Sequence, residues 1–316
     1  MCTAISYSSK KHYFGRNLDL EYSYDESVTI TPRNFALDFA RAGSIKKHYA
    51  MIGMAHIEDN YPLYYDATNE KGLSMAGLSF EGYAQYAKEN ADKTNVAVYE
   101  FIPWVLSQCD SVETALELIK DTNLIGLDFS DKLKATPLHF MLSDKDKSVV
   151  LEPSLKGLRI YNNPVGVLTN APDFEYQMTN LSNYMNLSSK SPINTMAKGV
   201  ELKKYSKGMG AIGLPGDLSS PSRFVRATFV KMNSIDDGTE NGSVQQFFHI
   251  LSSVEQQRGC VCLEDNKYEI TIYSSCVNTK EGIYYYTDYN DRNIKKVVMT
   301  KAAMNDKKLI NFMLKK

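Results

Sequence analysis

Two stretches near the start of the chain carry residue types that do chemistry. Cys2 follows the initiating methionine, and removal of Met1, which a small second residue such as cysteine permits, would leave a free α-amine beside the thiol. The amine ionises near about 7.7 to 8.0 and the thiol near about 8.5, so at neutral pH the partly neutral amine can take the thiol's proton. One residue would then supply both nucleophile and base. The alternative is that position 2 is an arbitrary early residue. Phe14-Gly15-Arg16-Asn17-Leu18-Asp19 is the second stretch: Asp19 would accept a hydrogen bond from the amine and orient it, and Arg16 would favour the thiolate by its charge. Strand periodicity sets Arg16 and Leu18 opposite Asn17 and Asp19, so both reach one site only if the strand ends or bulges. The plainer reading is an exposed ion pair at a strand end.

Other matches to chemical motifs fail on context. Gly208-Met209-Gly210-Ala211-Ile212-Gly213 has the dinucleotide-binding spacing but neither a strand before it nor a helix after it, so it reads as a flexible glycine loop. The stretches Gly72 to Ala76 and Gly77 to Glu81 each miss the nucleophile-elbow spacing by one position. His249 falls off the apolar stripe of its helix and reads as a partly exposed polar residue, while His139 reads as a satisfied core histidine. The remaining four cysteines form no disulfide framework. Cys109 falls in an apolar helical stretch, Cys276 ends a strand, and Cys260-Val261-Cys262 would put two thiols on one face of a strand. A metal there would need further ligands, and the chain has five scattered histidines.

The elements that must position these residues read as strands, then helices, then strands again. Period-two or compact apolar runs cover 2–8, 12–18, 27–31, 49–55, 63–65 and 73–78 and read as one antiparallel sheet. Helices follow at 100–109 and 111–120, the second opened by a capping box of Asp110 and Glu113. Strands at 138–142, 148–152, 158–161 and 165–169 read as a second sheet. Helices at 221–231 and 243–257 come next, the second opened by Ser243 and Gln246, and strands at 268–275, 282–287 and 294–299 close the chain. The 316 residues hold 36 Lys+Arg against 37 Asp+Glu and 43% hydrophobic residues, enough for a full core without a charge that would draw nucleic acid or anionic lipid. No run approaches the roughly 18 to 20 apolar residues of a membrane span and no secretory leader is visible, so a cytoplasmic protein is expected. With no long linker, a single α+β domain over residues 1–316 is expected.

Met1-Cys2-Thr3-Ala4, Phe14 to Asp19, Ile30-Thr31-Pro32-Arg33-Asn34, Asn69-Glu70-Lys71-Gly72-Leu73, Gly166-Val167-Leu168-Thr169-Asn170, Gly213-Leu214-Pro215-Gly216-Asp217 and Ser222-Arg223-Phe224 jointly resemble the choloylglycine hydrolase family. That family comprises bile salt hydrolases and penicillin V acylases of the N-terminal-nucleophile hydrolase superfamily. The resemblance covers essentially the whole chain. It implies a four-layer αββα sandwich of two antiparallel sheets flanked by helices, a homotetramer, no metal or cofactor, and a conjugated bile acid as substrate, with a penicillin V or related acyl amide as the alternative. It implies Cys2 as nucleophile, Arg16 and Asp19 as its supports, Asn170 as the side-chain donor of an oxyanion hole, and Arg223 as the remaining arginine of the pattern. Arg223 is also locally odd: with Ser220 as cap and Pro221 at the first helical position it sits in a first turn, where the helix dipole disfavours a cation, which points to a nearby anion. The second oxyanion donor falls on Ser79, where relatives often carry asparagine or tyrosine, and tryptophan is often found where this chain has Leu138-His139-Phe140. Loops 57–65 and 126–136 are candidate walls of an apolar acyl pocket, and Lys207 is a candidate contact for the sulfonate or carboxylate of the conjugate.

Overall fold

The computed structural model describes residues 1–314. Its elements in chain order are strands β1 (Cys2–Ser8), β2 (His12–Leu20), β3 (Ser27–Thr31), β4 (Leu37–Phe39), β5 (Gly43–Ile45), β6 (Met51–Glu58), β7 (Tyr61–Asn69), β8 (Ser74–Ser79) and β9 (Thr94–Ala97), then helices α1 (Phe101–Gln108) and α2 (Val112–Lys120). Strands β10 (Thr122–Ile125), β11 (Leu138–Ser143), β12 (Ser148–Ser154), β13 (Gly157–Asn162) and β14 (Val167–Leu168) follow, then helices α3 (Phe174–Leu181), α4 (Ser220–Asn233) and α5 (Glu240–Ser252). The chain closes with β15 (Ile270–Asn278), β16 (Ile283–Asp288), β17 (Lys295–Val298), α6 (Lys301–Met304) and β18 (Ile310–Met313).

Two antiparallel sheets dominate. One has six strands in the order β14-β1-β2-β15-β16-β17, the other eight in the order β13-β12-β11-β8-β7-β6-β3-β18. This corrects the sheet membership expected from sequence: β1 and β2 leave the strands that follow them and pair instead with β14 and β15. β11 to β13 join the same sheet as β6 to β8. Helices α1 and α2 cover the eight-stranded sheet, α4 and α5 cover the six-stranded one, and the facing sheets enclose the largest apolar cluster, from Ala4 and Ile5 to Met141 and Val150. The architecture is the four-layer αββα sandwich. Because the six-stranded sheet is covered on both faces, β15 is buried at every residue and β2 at all but its last, as a doubly covered strand must be.

Helix starts shift slightly from the sequence reading. α2 is capped by Ser111, whose side chain accepts from Thr114 N, in place of Asp110 and Glu113. α5 begins earlier, capped by Thr239, while Ser243 is buried in its first turn and donates to Asp236 at 2.8 Å. α4 starts at Ser220 behind Ser219, leaving Arg223 in the first turn. Cys260 lies exposed in a turn and Cys262 lies exposed at an isolated bridge to Tyr268, outside any strand, and Cys276 is interior to β15.

Candidate active site

The β1–β2 hairpin sets Cys2 opposite Leu18 and Ala4 opposite Arg16. Cross-strand partners share a face, so the Cys2 thiol, Arg16 and Leu18 point toward the second sheet, while Thr3, Asn17 and Asp19 point toward the helices. Gly15 makes this packing possible: a Cβ there would meet Ser275 O at 2.0 Å, so only glycine lets β2 approach β15 this closely.

Arg16 is fully buried. Its Nη1 donates to Tyr65 O at 2.9 Å and Gly77 O at 2.5 Å. The β7–β8 ladder ends at Asp66 and Ala76, Tyr65 is the extra residue where the register between β6 and β7 shifts, and the guanidinium enters where the next ladder pair would have formed. Burial works against the charge, but Cys2, Tyr273, Asp66 and Asp19 outweigh it and raise the Arg16 pKa. Asp19, also fully buried, accepts from Thr271 Oγ1 at 2.7 Å through Oδ1, and its Oδ2 has no hydrogen-bond partner among the described residues. Burial raises its pKa, opposed by the N-terminal ammonium, Arg223, the Thr271 bond and Arg16. The Met1 ammonium donates to Asp19 O at 2.9 Å and pairs with Glu269; burial lowers its pKa, while Cys2 and Asp19 raise it.

Asn170 closes the cluster from the β14 side. Its Oδ1 accepts from Cys2 N at 2.7 Å and from Arg223 Nη2 at 2.8 Å, and its Nδ2 donates to Ser79 O at 2.8 Å. These bonds orient the amide and leave one Nδ2 hydrogen uncommitted. Ser79 stands at the end of β8, where Phe80 N donates to Pro137 O; strand alternation turns the amide and carbonyl of Ser79 away from β11, toward the opening beyond the end of the β7–β8 ladder. Arg223 reaches the same place from α4, donating through Nη1 to Cys2 O at 2.6 Å and Thr3 Oγ1 at 2.7 Å. The anion expected beside it enters as the Asp19 charge, which raises the Arg223 pKa against the larger lowering by burial.

Six of the seven sequence-derived residues therefore converge: Cys2, Arg16, Asp19, Ser79, Asn170 and Arg223. Lys207 is exposed on the loop before Gly208 and makes no hydrogen bond or ion pair to any of them. Sequence reasoning missed Tyr65, Thr271 and Ser220, which support the cluster. Ser220 Oγ receives Asn170 N and donates to Asn170 O, both at 2.9 Å, and its place in Ser219-Ser220-Pro221 was the only local signal. The two expected pocket walls meet as an aromatic cluster in which the Tyr61 and Tyr99 rings lie 6.1 and 5.2 Å from Phe129. Residues 57–65, read as a loop, form the β6–β7 hairpin. Two cavities of about 710 and 880 Å³ flank the Ser8 to Lys11 turn, at the far end of the hairpin from Cys2.

Residues 2–312 match the family of linear amide C–N hydrolases described as the choloylglycine hydrolase family. A protein named bile salt hydrolase/transferase from Lactiplantibacillus plantarum is 52% identical over 315 residues, covering 100% of this chain and 97% of the relative. One of the same name from Clostridium perfringens is 37% identical over 310 residues, covering 96% and 94%. The crystal structure of a cysteine-to-alanine variant of conjugated bile acid hydrolase from Clostridium perfringens superposes with a TM-score of 0.92 at 36% identity, covering 100% of this chain and 97% of that one. Penicillin V acylase from Agrobacterium tumefaciens shares the fold, with a TM-score of 0.78 at 18% identity over 98% and 90% of the two chains. With its signature residues gathered at one end of the hairpin and its relatives matched along their full length, this chain belongs to the choloylglycine hydrolase family and is a hydrolase of amide C–N bonds.

Proposed function

We propose that the protein removes glycine or taurine from conjugated bile acids, with Cys2 as nucleophile after loss of Met1. The observation that carries the mechanism is the division of Cys2 between two environments. Its nitrogen is held by Asn170 at 2.7 Å, while its side chain lies on the face of the buried Arg16 cation. Once Met1 is gone, that nitrogen is a primary amine beside the thiol. It takes the thiol proton as sulfur attacks the amide carbon, and passes it to the nitrogen of the leaving glycine or taurine as the C–N bond breaks. Water then adds to the thioester, giving its proton to the amine, and the free bile acid leaves as the thiol is restored. Each tetrahedral oxyanion is received by the uncommitted Nδ2 hydrogen of Asn170 and the N–H of Ser79, a pair of fixed donors of the kind worth about 3 to 4 kcal/mol each. Asp19 keeps the amine in place, and Arg223 holds the carbonyl of Cys2 and the amide of Asn170. The substrate assignment is supported by the relatives named above, which share up to 52% of their residues with this chain.

The deciding experiment is release of free glycine or taurine from conjugated bile salts by wild type and by Cys2→Ala, with penicillin V in parallel and the N-terminal mass measured. Cys2-dependent release by a chain lacking Met1 is expected. Cleavage of penicillin V alone would move the protein to the acylase branch. Lys207 is the proposed contact for the anionic end of the conjugate, and an unchanged KM for both conjugates in Lys207→Ala would sink that assignment. A homotetramer is supported by the exposed apolar side chains of Met185, Ile193, Met196 and Tyr205 on the long segment between α3 and α4; light scattering at one protomer mass would refute it. Five unpaired cysteines support a cytoplasmic location, which cell fractionation tests; among the described residues no helix is long and apolar enough to cross a membrane.

A further inference from the structure

His139 lies fully buried in β11, and its Nε2 is 2.9 Å from the carbonyl oxygen of Thr169. A carbonyl only accepts, so Nε2 carries a hydrogen. The other ring nitrogen, Nδ1, has no hydrogen-bond partner among the described residues and stands 3.6 Å from Oε1 of Glu152, itself 1% exposed. His139 is thus only half satisfied, unlike the core histidine expected from sequence. Nδ1 and the carboxylate face each other across a gap longer than a direct hydrogen bond, and each is a buried polar group held in place by its other partner. Glu152 Oε1 accepts from Phe174 N at 2.8 Å.

The pair touches the supports of both oxyanion donors. On one side His139 holds the carbonyl of Thr169, the residue before Asn170. Glu152 holds the first residue of α3, whose Gln177 donates to Asn170 O at 3.3 Å. On the other side the His139 ring stacks on Phe80, centroids 4.1 Å apart and planes 8° from parallel. Phe80 follows Ser79, and Leu138, which precedes His139, is the cross-strand partner of Ser79. One side-chain pair therefore spans the gap between the two segments whose separation defines the hole.

We propose that His139 and Glu152 form a buried positioning pair that fixes the spacing of Asn170 and Ser79. The inference rests on the mechanism above, not on the bile acid assignment. Oxyanion stabilisation depends on donor placement within a fraction of an ångström, and a misplacement of about 1 Å costs about 100-fold. The pair touches no substrate, so its loss should appear in kcat rather than KM.

The test compares His139→Leu, His139→Gln and Glu152→Gln by kcat and KM on whichever acyl amide the wild type hydrolyses, and by the rate of Cys2 alkylation with iodoacetamide. Alkylation at saturated carbon forms no oxyanion and reports on the nucleophile alone. His139→Leu is expected to lower kcat about 10- to 100-fold, with KM and alkylation within about threefold of wild type. His139→Gln, whose amide can reach Thr169 O, and Glu152→Gln, whose amide oxygen can still accept from Phe174 N, should each keep most of kcat. Unchanged kcat in a folded His139→Leu would overturn the proposal. So would alkylation falling in step with kcat, or a His139→Gln no better than His139→Leu. Melting temperature separates these results from failure to fold. Lack of turnover on bile conjugates alone would overturn the substrate assignment and leave the comparison intact on another acyl amide.

Discussion

Strand periodicity puts Arg16 and Asp19 on opposite faces of β2, and both nonetheless come beside one residue because Cys2 starts its strand. Its thiol projects to the face of Arg16, while its nitrogen lies at the open end of the ladder, where Asp19 N meets Met1 O at 3.0 Å. In the chain that retains Met1, burial lowers the pKa of the Met1 ammonium, with Cys2 and Asp19 raising it; a carboxylate beside the amine that Cys2 would carry after loss of Met1 favours its charged form in the same way. The base works only when neutral, so Asp19→Asn should move the acid limb of kcat/KM to lower pH. It should also reduce the maximum, by about 10- to 100-fold, as the amine loses its orientation. A pH-rate profile with an unmoved limb would remove Asp19 from this role. Arg16→Met should be costlier to the fold: it strips the carbonyls of Tyr65 and Gly77 of their donor and leaves the fully buried Asp66 without its cation, a loss of about 3 to 5 kcal/mol readable by denaturant unfolding. At this scale the sequence disclosed the candidate nucleophile, because a cysteine next to the initiating methionine carries its own chemistry. It could not disclose Thr271 or Tyr65, which reach Asp19 and Arg16 only through pairings 252 and 49 residues apart.

Among the elements, β2 carries a tight demand. A methyl group on Gly15 would overlap the Ser275 carbonyl, and neither strand can yield, since β2 sits between β1 and β15 and β15 between β2 and β16. Gly15→Ala is expected to cost about 3 kcal/mol or more and to lower activity by displacing Arg16; a folded variant with wild-type unfolding midpoint would show that the sheet can open there. Strand positions were largely legible: the run at 27–31 coincides with β3 at both ends. Partnership was not, because apolar runs that are neighbours in sequence give no sign that β2 will pair with a strand beginning at Ile270. Capping was legible to within a few residues: Asp110, Ser111 and Thr114 all bear cap-forming oxygens, and the structure uses the last two. Helix α3 escaped notice because its eight residues bury only Phe174 and Gln177, too short a stripe for a helical period to show.

Across the whole molecule, polar cross-links close the apolar layer between the sheets at both ends. Arg16 ties the six-stranded sheet to β7 and β8 near Cys2. At the far end Ser6 and His12 meet Ser143 of the eight-stranded sheet, with Ser143 Oγ 3.0 Å from Ser6 Oγ, His12 Nε2 2.9 Å from Ser6 Oγ, and His12 Nδ1 3.1 Å from Thr279 Oγ1. Burial pushes the His12 pKa down to about 4 from its ordinary 6.5, with Asp144 and Asp146 pulling upward and Lys231 downward. Between these values the unfolded chain binds a proton that the folded chain refuses, so folding stability rises with pH across the window and is lost as pH falls from about 6.5 to about 4. The gap corresponds to at most about 3 kcal/mol. His12→Gln, which keeps hydrogen-bonding atoms but cannot titrate, should flatten that part of the profile and leave the unfolding free energy at pH 7.5 lower by no more than the lost packing. Denaturant unfolding at a series of pH values and one fixed protein concentration reads the difference directly. Parallel slopes for wild type and variant would place the acid sensitivity elsewhere, with the buried carboxylates of the catalytic end as the next groups to titrate. Because the histidine lies at the end of the hairpin opposite Cys2, the flattened stability profile should come with an unaltered acid limb of kcat/KM, which separates the two titrations in a single variant.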